Sequence, residues 1–107
     1  MNVETNPPLR RSSGASRRHH RTHLPYRMDV LAPGVATVLV LPDPAGDTVH
    51  SVTAYDAQGR PMAVADEHAA HLLALLQGAF TANWGHPQVW RRNDNTLTDE
   101  TALRGAA

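Results

Sequence analysis

The side chains with the most capacity for chemistry in this sequence are guanidinium and imidazole groups, and they are concentrated. The run RRHHRTH, positions 17–23, packs three Arg and three His into seven residues. A guanidinium is planar and matches phosphate oxygens, and a flexible basic segment can follow a nucleic-acid backbone. Arg10, Arg11, Arg17, Arg18 and Arg21 are therefore a candidate for salt-dependent nucleic-acid contact. The competing reading is a solubilising arm, or one that folds back on the acidic remainder of the chain. His19, His20 and His23 could place two imidazoles on one side of a helical turn, and imidazole ligates zinc, nickel or copper. No carboxylate adjoins them and the flanking Arg side chains repel a cation, so no metal or other cofactor is expected.

A second group sits further on, in EHAAH, Glu67 to His71. The zincin pattern needs histidines at i and i+4 with Glu directly after the first. Here they stand at i and i+3 and the Glu precedes both. His50, Asp66, His68, His71 and His86 remain candidates for the edge of a polar pocket, provided the fold brings them together. The third group is WGHPQVWRR, where Trp84, Trp90, Arg91 and Arg92 surround a turn. Trp and Arg are enriched at binding hot spots. If Trp90 faces solvent, these four make a protein contact or a dimer seam; the alternative places both Trp in the core.

Catalysis is disfavoured by elimination. With no Lys there is no Schiff-base amine, and with no Cys there is no thiolate nucleophile, thiolate metal site or disulfide. Ser51 lies within an expected strand, without the strand-to-helix turn of a nucleophile elbow. No Gly-rich loop resembles a phosphate-binding or dinucleotide fingerprint.

The elements that must position these groups follow from periodicity. DEHAAHLLALLQGAFTANWG, Asp66 to Gly85, is the one long segment of clear helical period. Ala69, Leu72, Leu73, Leu76, Ala79 and Phe80 form its apolar stripe, and Ala70, Ala74, Gln77 and Thr81 its solvent face. Asp66 is the expected N-cap and Gly85 the expected C-terminal stop. Val35 to Leu41 reads as an interior strand, apolar on both faces. Thr48 to Tyr55 alternates as a second strand, and Asp56 to Arg60 is a turn in which Gly59 can take positive φ. Pro61 to Ala65 and Gln88 to Arg92 are shorter strands. Asp29 to Leu31 reads as an edge strand, and Thr98 as the cap of a brief terminal helix.

The fold expected is α+β: a small antiparallel β-β-β-α-β meander with one long helix on one face of the sheet. Residues 1–23 are expected to be a disordered Arg/His-rich arm, 24–97 a single domain, and 98–107 a tail with at most a short helix. Few aliphatic residues occur before Leu24, and Pro, Ser and Arg dominate there. The ten cations are all Arg and balance ten acids, yet residues 1–27 carry six Arg against Glu4. The remainder carries four Arg against nine acids, so the two parts stand at +5 and −5. No apolar run is long enough to span a bilayer and no secretory signal is evident. Arg without Lys, with abundant Ala, is the composition of GC-rich bacterial genomes, which makes the cytoplasm the default. The function expected is that of a non-enzymatic bacterial accessory or regulatory protein acting through protein–protein contact or as a homodimer. The alternative is a nucleic-acid-associated protein that binds through its arm.

Overall fold

The structure, a computed structural model, describes residues 14–42 and 50–100. The order of elements is α1 (Gly14–Leu31), β1 (Val35–Pro42), β2 (His50–Asp56), β3 (Pro61–Met62), α2 (Asp66–Ala79), β4 (Gln88–Arg91) and β5 (Thr96–Asp99). The five strands form one antiparallel sheet in the order β3-β2-β1-β4-β5. This is a small α+β domain; the described residues form two helices and five strands, beside an expected β-β-β-α-β arrangement.

Register explains which face is buried. Met62, Ala54, Val38, Trp90 and Leu97 are successive cross-strand partners and form one row across all five strands. Val52, Val40, Gln88 and Asp99 form the next row on the same face. Because strand side chains alternate, Thr37, Leu39 and Leu41 leave β1 on the other face. The inner rows meet Leu24 and Met28 of α1 and Leu72, Leu76 and Ala79 of α2 in a single buried cluster. Both helices thus cover one face. A fully buried Leu-, Met- or Val-sized side chain contributes about 1.5–3 kcal/mol, so α1 is integral to the core.

Helix α1 replaces two expectations. Its residues 14–23 were assigned to a disordered arm, and Asp29 to Leu31 to an edge strand. In the structure both belong to one helix that carries Pro25 in its interior. Leu24, Met28 and Ala32, spaced four apart, are buried. That stripe is short, and it holds the helix only because α2 and the sheet lie beneath it. Residues 1–13 of the expected arm, Arg10 and Arg11 among them, lie outside the described residues.

Helix α2 buries Leu72, Leu76 and Ala79 as its periodicity predicts, and Ala70, Ala74 and Gln77 are exposed. Both ends differ. The N-cap is Ala65, with no side-chain cap bond, and Asp66 stands in the first turn. The helix stops at Ala79, well before Gly85, with Phe80 extended at φ −131°. Tertiary partners take over the freed carbonyls: Arg21 Nη1 donates to Ala79 O at 3.0 Å and Gln88 Nε2 to Asn83 O at 2.8 Å. Asn83 Oδ1 also accepts from Gly85 N at 2.9 Å, a local turn that competes with helix.

The β2–β3 turn forms as its residues require. Gly59 has φ +79°, and Asp56 Oδ1 accepts from the amides of Gln58 and Arg60, each at 2.9 Å. The third strand is only Pro61–Met62. The expected terminal helix is displaced at its start by β5, which includes Thr98 and Asp99; residues 101–107 lie outside the described residues. Among the described residues no helix is long and apolar enough to cross a membrane.

Candidate functional site

The five polar-pocket candidates do not converge. His50 begins β2, and its Nε2 lies 2.9 Å from the Trp84 carbonyl, to which it donates, tying the sheet to the loop after α2. His50, Ser51 and Asp66 line one open cavity of about 510 Å³ with apolar residues of α2. These are the residue types of a hydrolytic triad, but neighbours on a strand leave opposite faces. His50 also spends its Nε2 proton on a backbone carbonyl. His68 and His71 are exposed on α2. No group of three or more metal-ligating side chains occurs among the described residues.

His86 belongs to a separate cluster at the end of β4 and β5. Its Nδ1 lies 2.9 Å from Asp99 Oδ2, and its Nε2 lies 3.2 Å from Asn83 Nδ2. With Nδ1–H donating and Nε2 accepting, both ring nitrogens are engaged. Gln88, only 1% exposed, adds its Nε2 to the same Asp99 oxygen at 3.4 Å. A carboxylate-oriented imidazole is half of a general-base arrangement. No nucleophile bonds it, and Asn83 occupies the nitrogen that would do the work. The cluster is a clip that fastens the loop after α2 to the last strand.

The Trp/Arg group also disperses, and of the two readings open for Trp90 the structure has the core one. Trp90 is fully buried at the centre of the inner row, with Nε1–H donated to Asn95 Oδ1 at 2.9 Å. Trp84 is half-buried against the edge of the core. Arg92 Nη1 contacts Asp29 Oδ1 at 2.9 Å and Val35 O at 3.4 Å, joining the end of α1 to the start of β1. Asp29 Oδ1 also accepts the Gly34 amide at 2.9 Å. That backbone bond, together with the Arg92 guanidinium, holds the Asp29 carboxyl below its usual value. Only Arg91 stays on the open sheet face, beside Thr98 and Glu100.

The basic group becomes the polar side of α1. Arg21 lies over the Phe80 ring at 5.8 Å, and its bond to Ala79 O places a cation at the negative end of the α2 dipole. Arg18 is exposed and forms no ion pair among the described residues. The rings of His19 and His23 stand 4.6 Å apart edge-on, and His20 is 6.0 Å from His19.

What the structure adds is a groove on the outer side of the two helices. Tyr26, Arg27, Val30 and Leu31 of α1 and His71 and Leu75 of α2 enclose about 450 Å³. Tyr26 is 74% exposed and Val30 61%, the two large hydrophobic side chains left open to solvent among the described residues. Sequence reasoning passed over them because the segment was not read as helix. The signal was there in the spacing of His19, His23, Tyr26 and Val30, whose intervals of four, three and four residues make one stripe on a helix. No family model, no curated protein and no solved structure matches the chain.

Proposed function

We propose that this protein is a non-enzymatic accessory or regulatory module that works by protein–protein contact, through the outer face of its α1/α2 layer. The observation that carries the reading is the exposure of Tyr26 and Val30 beside an apolar groove. Large apolar side chains grouped on a surface mark contact sites when they adjoin a concavity, whereas single ones need no explanation. The dispersal of the polar candidates supports the same reading, because no base, nucleophile and orienting group meet among the described residues. A second reading, contact with a nucleic-acid backbone, is favoured by the four Arg of α1, against which Asp29 is the one acid of that helix.

The test is site-specific photocrosslinking in cells. A benzophenone amino acid at position 26 is expected to give covalent protein adducts, and the same group at Thr53, on the opposite face of the sheet, to give none. Equal adduct yields at both positions, or none at either, would remove the reading. The nucleic-acid reading requires binding that weakens steeply with salt and is lost when Arg18 and Arg27 are changed to Gln.

A further inference from the structure

We infer that the cavity beside the His86–Asp99 clip binds a small primary alkylammonium ion. Phe80, Thr81, Asn83, Gln88, Leu97 and Asp99 line this cavity, which encloses about 280 Å³. It lies between the segment that follows α2 and the inner rows of β4 and β5, away from the groove of α1 and α2.

Three observations carry the inference. The first is an acceptor without a donor. Gln88 is 1% exposed, and its Nε2 donates to Asn83 O at 2.8 Å and to Asp99 Oδ2 at 3.4 Å. Both partners are acceptors, which fixes the orientation of the amide: the nitrogen faces them and Oε1 does not. No donor among the described residues reaches Oε1. A carbonyl oxygen withdrawn from water costs stability until a donor meets it, and buried polar groups in native folds are met. The cavity that Gln88 lines is the open space in which a donor can stand.

The second observation is charge. Asp99 brings a carboxylate to the wall. With Nδ1–H given to Asp99 and Nε2 accepting from Asn83, His86 is neutral, so it orients the carboxylate without cancelling its charge. Phe80 is the C-cap of α2, so the cavity also adjoins the negative end of that helix. Arg21, the cation that meets Ala79 O, is not part of the lining. Acceptor, carboxylate and dipole all call for a ligand that is positive and donates.

The third observation is fit. The nitrogen and oxygen of an amide are about 2.3 Å apart, so Oε1 of Gln88 stands within about 6 Å of Asp99 Oδ2. Two N–H···O bonds of about 2.9 Å from one ammonium head span that gap. An ammonium has three donors to give and no acceptor. Phe80 and Leu97, both half-buried, supply apolar surface for a short alkyl stem.

Nuclear magnetic resonance of the isotope-labelled full chain tests this, with n-propylammonium chloride titrated against tetramethylammonium chloride at constant ionic strength. Propylammonium is expected to shift the Gln88 side-chain amide signals saturably and to raise the melting temperature. Tetramethylammonium has the same charge and no N–H, and is expected to do neither. Asp99→Asn should weaken binding by about 10-fold or more, because a hydrogen bond to a charged group is lost. Thr81→Trp, at an exposed position, should fill the cavity and abolish binding with an unchanged circular dichroism spectrum. Gln88→Met removes the carbonyl at equal chain length and should also abolish it; should that variant not fold, the other two decide. Equal responses to the two cations would reduce the site to diffuse charge attraction and overturn the proposal. So would binding that survives Thr81→Trp, or the lack of any saturable shift, which would leave water as the donor to Oε1. The crosslinking yield from position 26 does not depend on any of these results.

Discussion

Asn95 donates its side-chain amide to the Arg21 carbonyl at 2.7 Å, and Pro25 leaves that carbonyl without a helical donor. In an α-helix the amide of residue 25 would bond the carbonyl of residue 21, and proline has no N–H to give. The same Asn95 accepts the Trp90 indole N–H at 2.9 Å. It does both from a left-handed backbone at φ +53°, a conformation Asn tolerates better than most residues. One side chain in the β4–β5 turn thus repairs the break in α1 and satisfies the central core aromatic.

Asn95→Ala is expected to destabilise the domain by about 2–4 kcal/mol, because it orphans a buried indole N–H and a helix carbonyl and strains a positive-φ site. In a Pro25→Ala background the helix regains its own donor, and the cost of Asn95→Ala should fall by about 1 kcal/mol. Urea denaturation of the four members of this double-mutant cycle measures the coupling. A cycle with no coupling would show that the Asn95 amide does not stand in for the missing one.

Trp90→Ala should cost about 3–5 kcal/mol and unfold a domain of this size at ordinary temperatures, since Trp90 has no exposed surface. Arg91→Ala, on the open sheet face, should cost less than about 0.5 kcal/mol. Thermal melts of the two variants compare the buried and exposed members of the Trp/Arg group directly.

Asp29 and Asp56 both titrate below the ordinary 3.8, each chiefly through a backbone amide it accepts: Gly34 for the first, Arg60 for the second. A carboxyl with a depressed folded pKa binds fewer protons folded than unfolded. Its contribution is therefore complete above the unfolded value and is lost as pH falls below about 3.8 toward the folded one. Asp29→Asn and Asp56→Asn should flatten the acid limb of the stability curve there and leave its slope near pH 7 unchanged. Urea midpoints measured from pH 2 to 7 check the sign.

Gly78→Ala should stabilise the isolated fold by about 0.5–1 kcal/mol, since the new methyl meets no atom within 4 Å. Urea denaturation of the variant beside the parent chain measures the gain.

Several elements were readable from residue order alone. The stripe Leu72, Leu76 and Ala79 announces α2, a continuous apolar run announces the first strand and alternation the second, and Asp56 with Gly59 announces the turn that follows. Each of these signals is local: the information that makes the structure lies within a few residues of it. Helix α1 offers no such signal over its first half. Its run of Arg and His has no apolar period, and its one Pro argues against helix. It is held by non-local bonds, Arg21 to Ala79 and Asn95 to Arg21, across separations of 58 and 74 residues.

The sequence by itself thus determined the class of fold, the core helix, four of the five strands and the lack of Cys and Lys side chains for thiol and amine chemistry. The tertiary structure alone decided what those residues face. Alternation puts Val89 and Trp90 on opposite faces but is symmetric between them; two helices on one side of the sheet send Trp90 inward. Spacing permits His50, His68, His71 and His86 to meet. The sheet order and the early end of α2 give His50 to Trp84 and His86 to Asp99, and leave His71 on the groove. Burial and proximity are properties of the packed layers, set by pairs of residues far apart in the chain, and no local pattern encodes them.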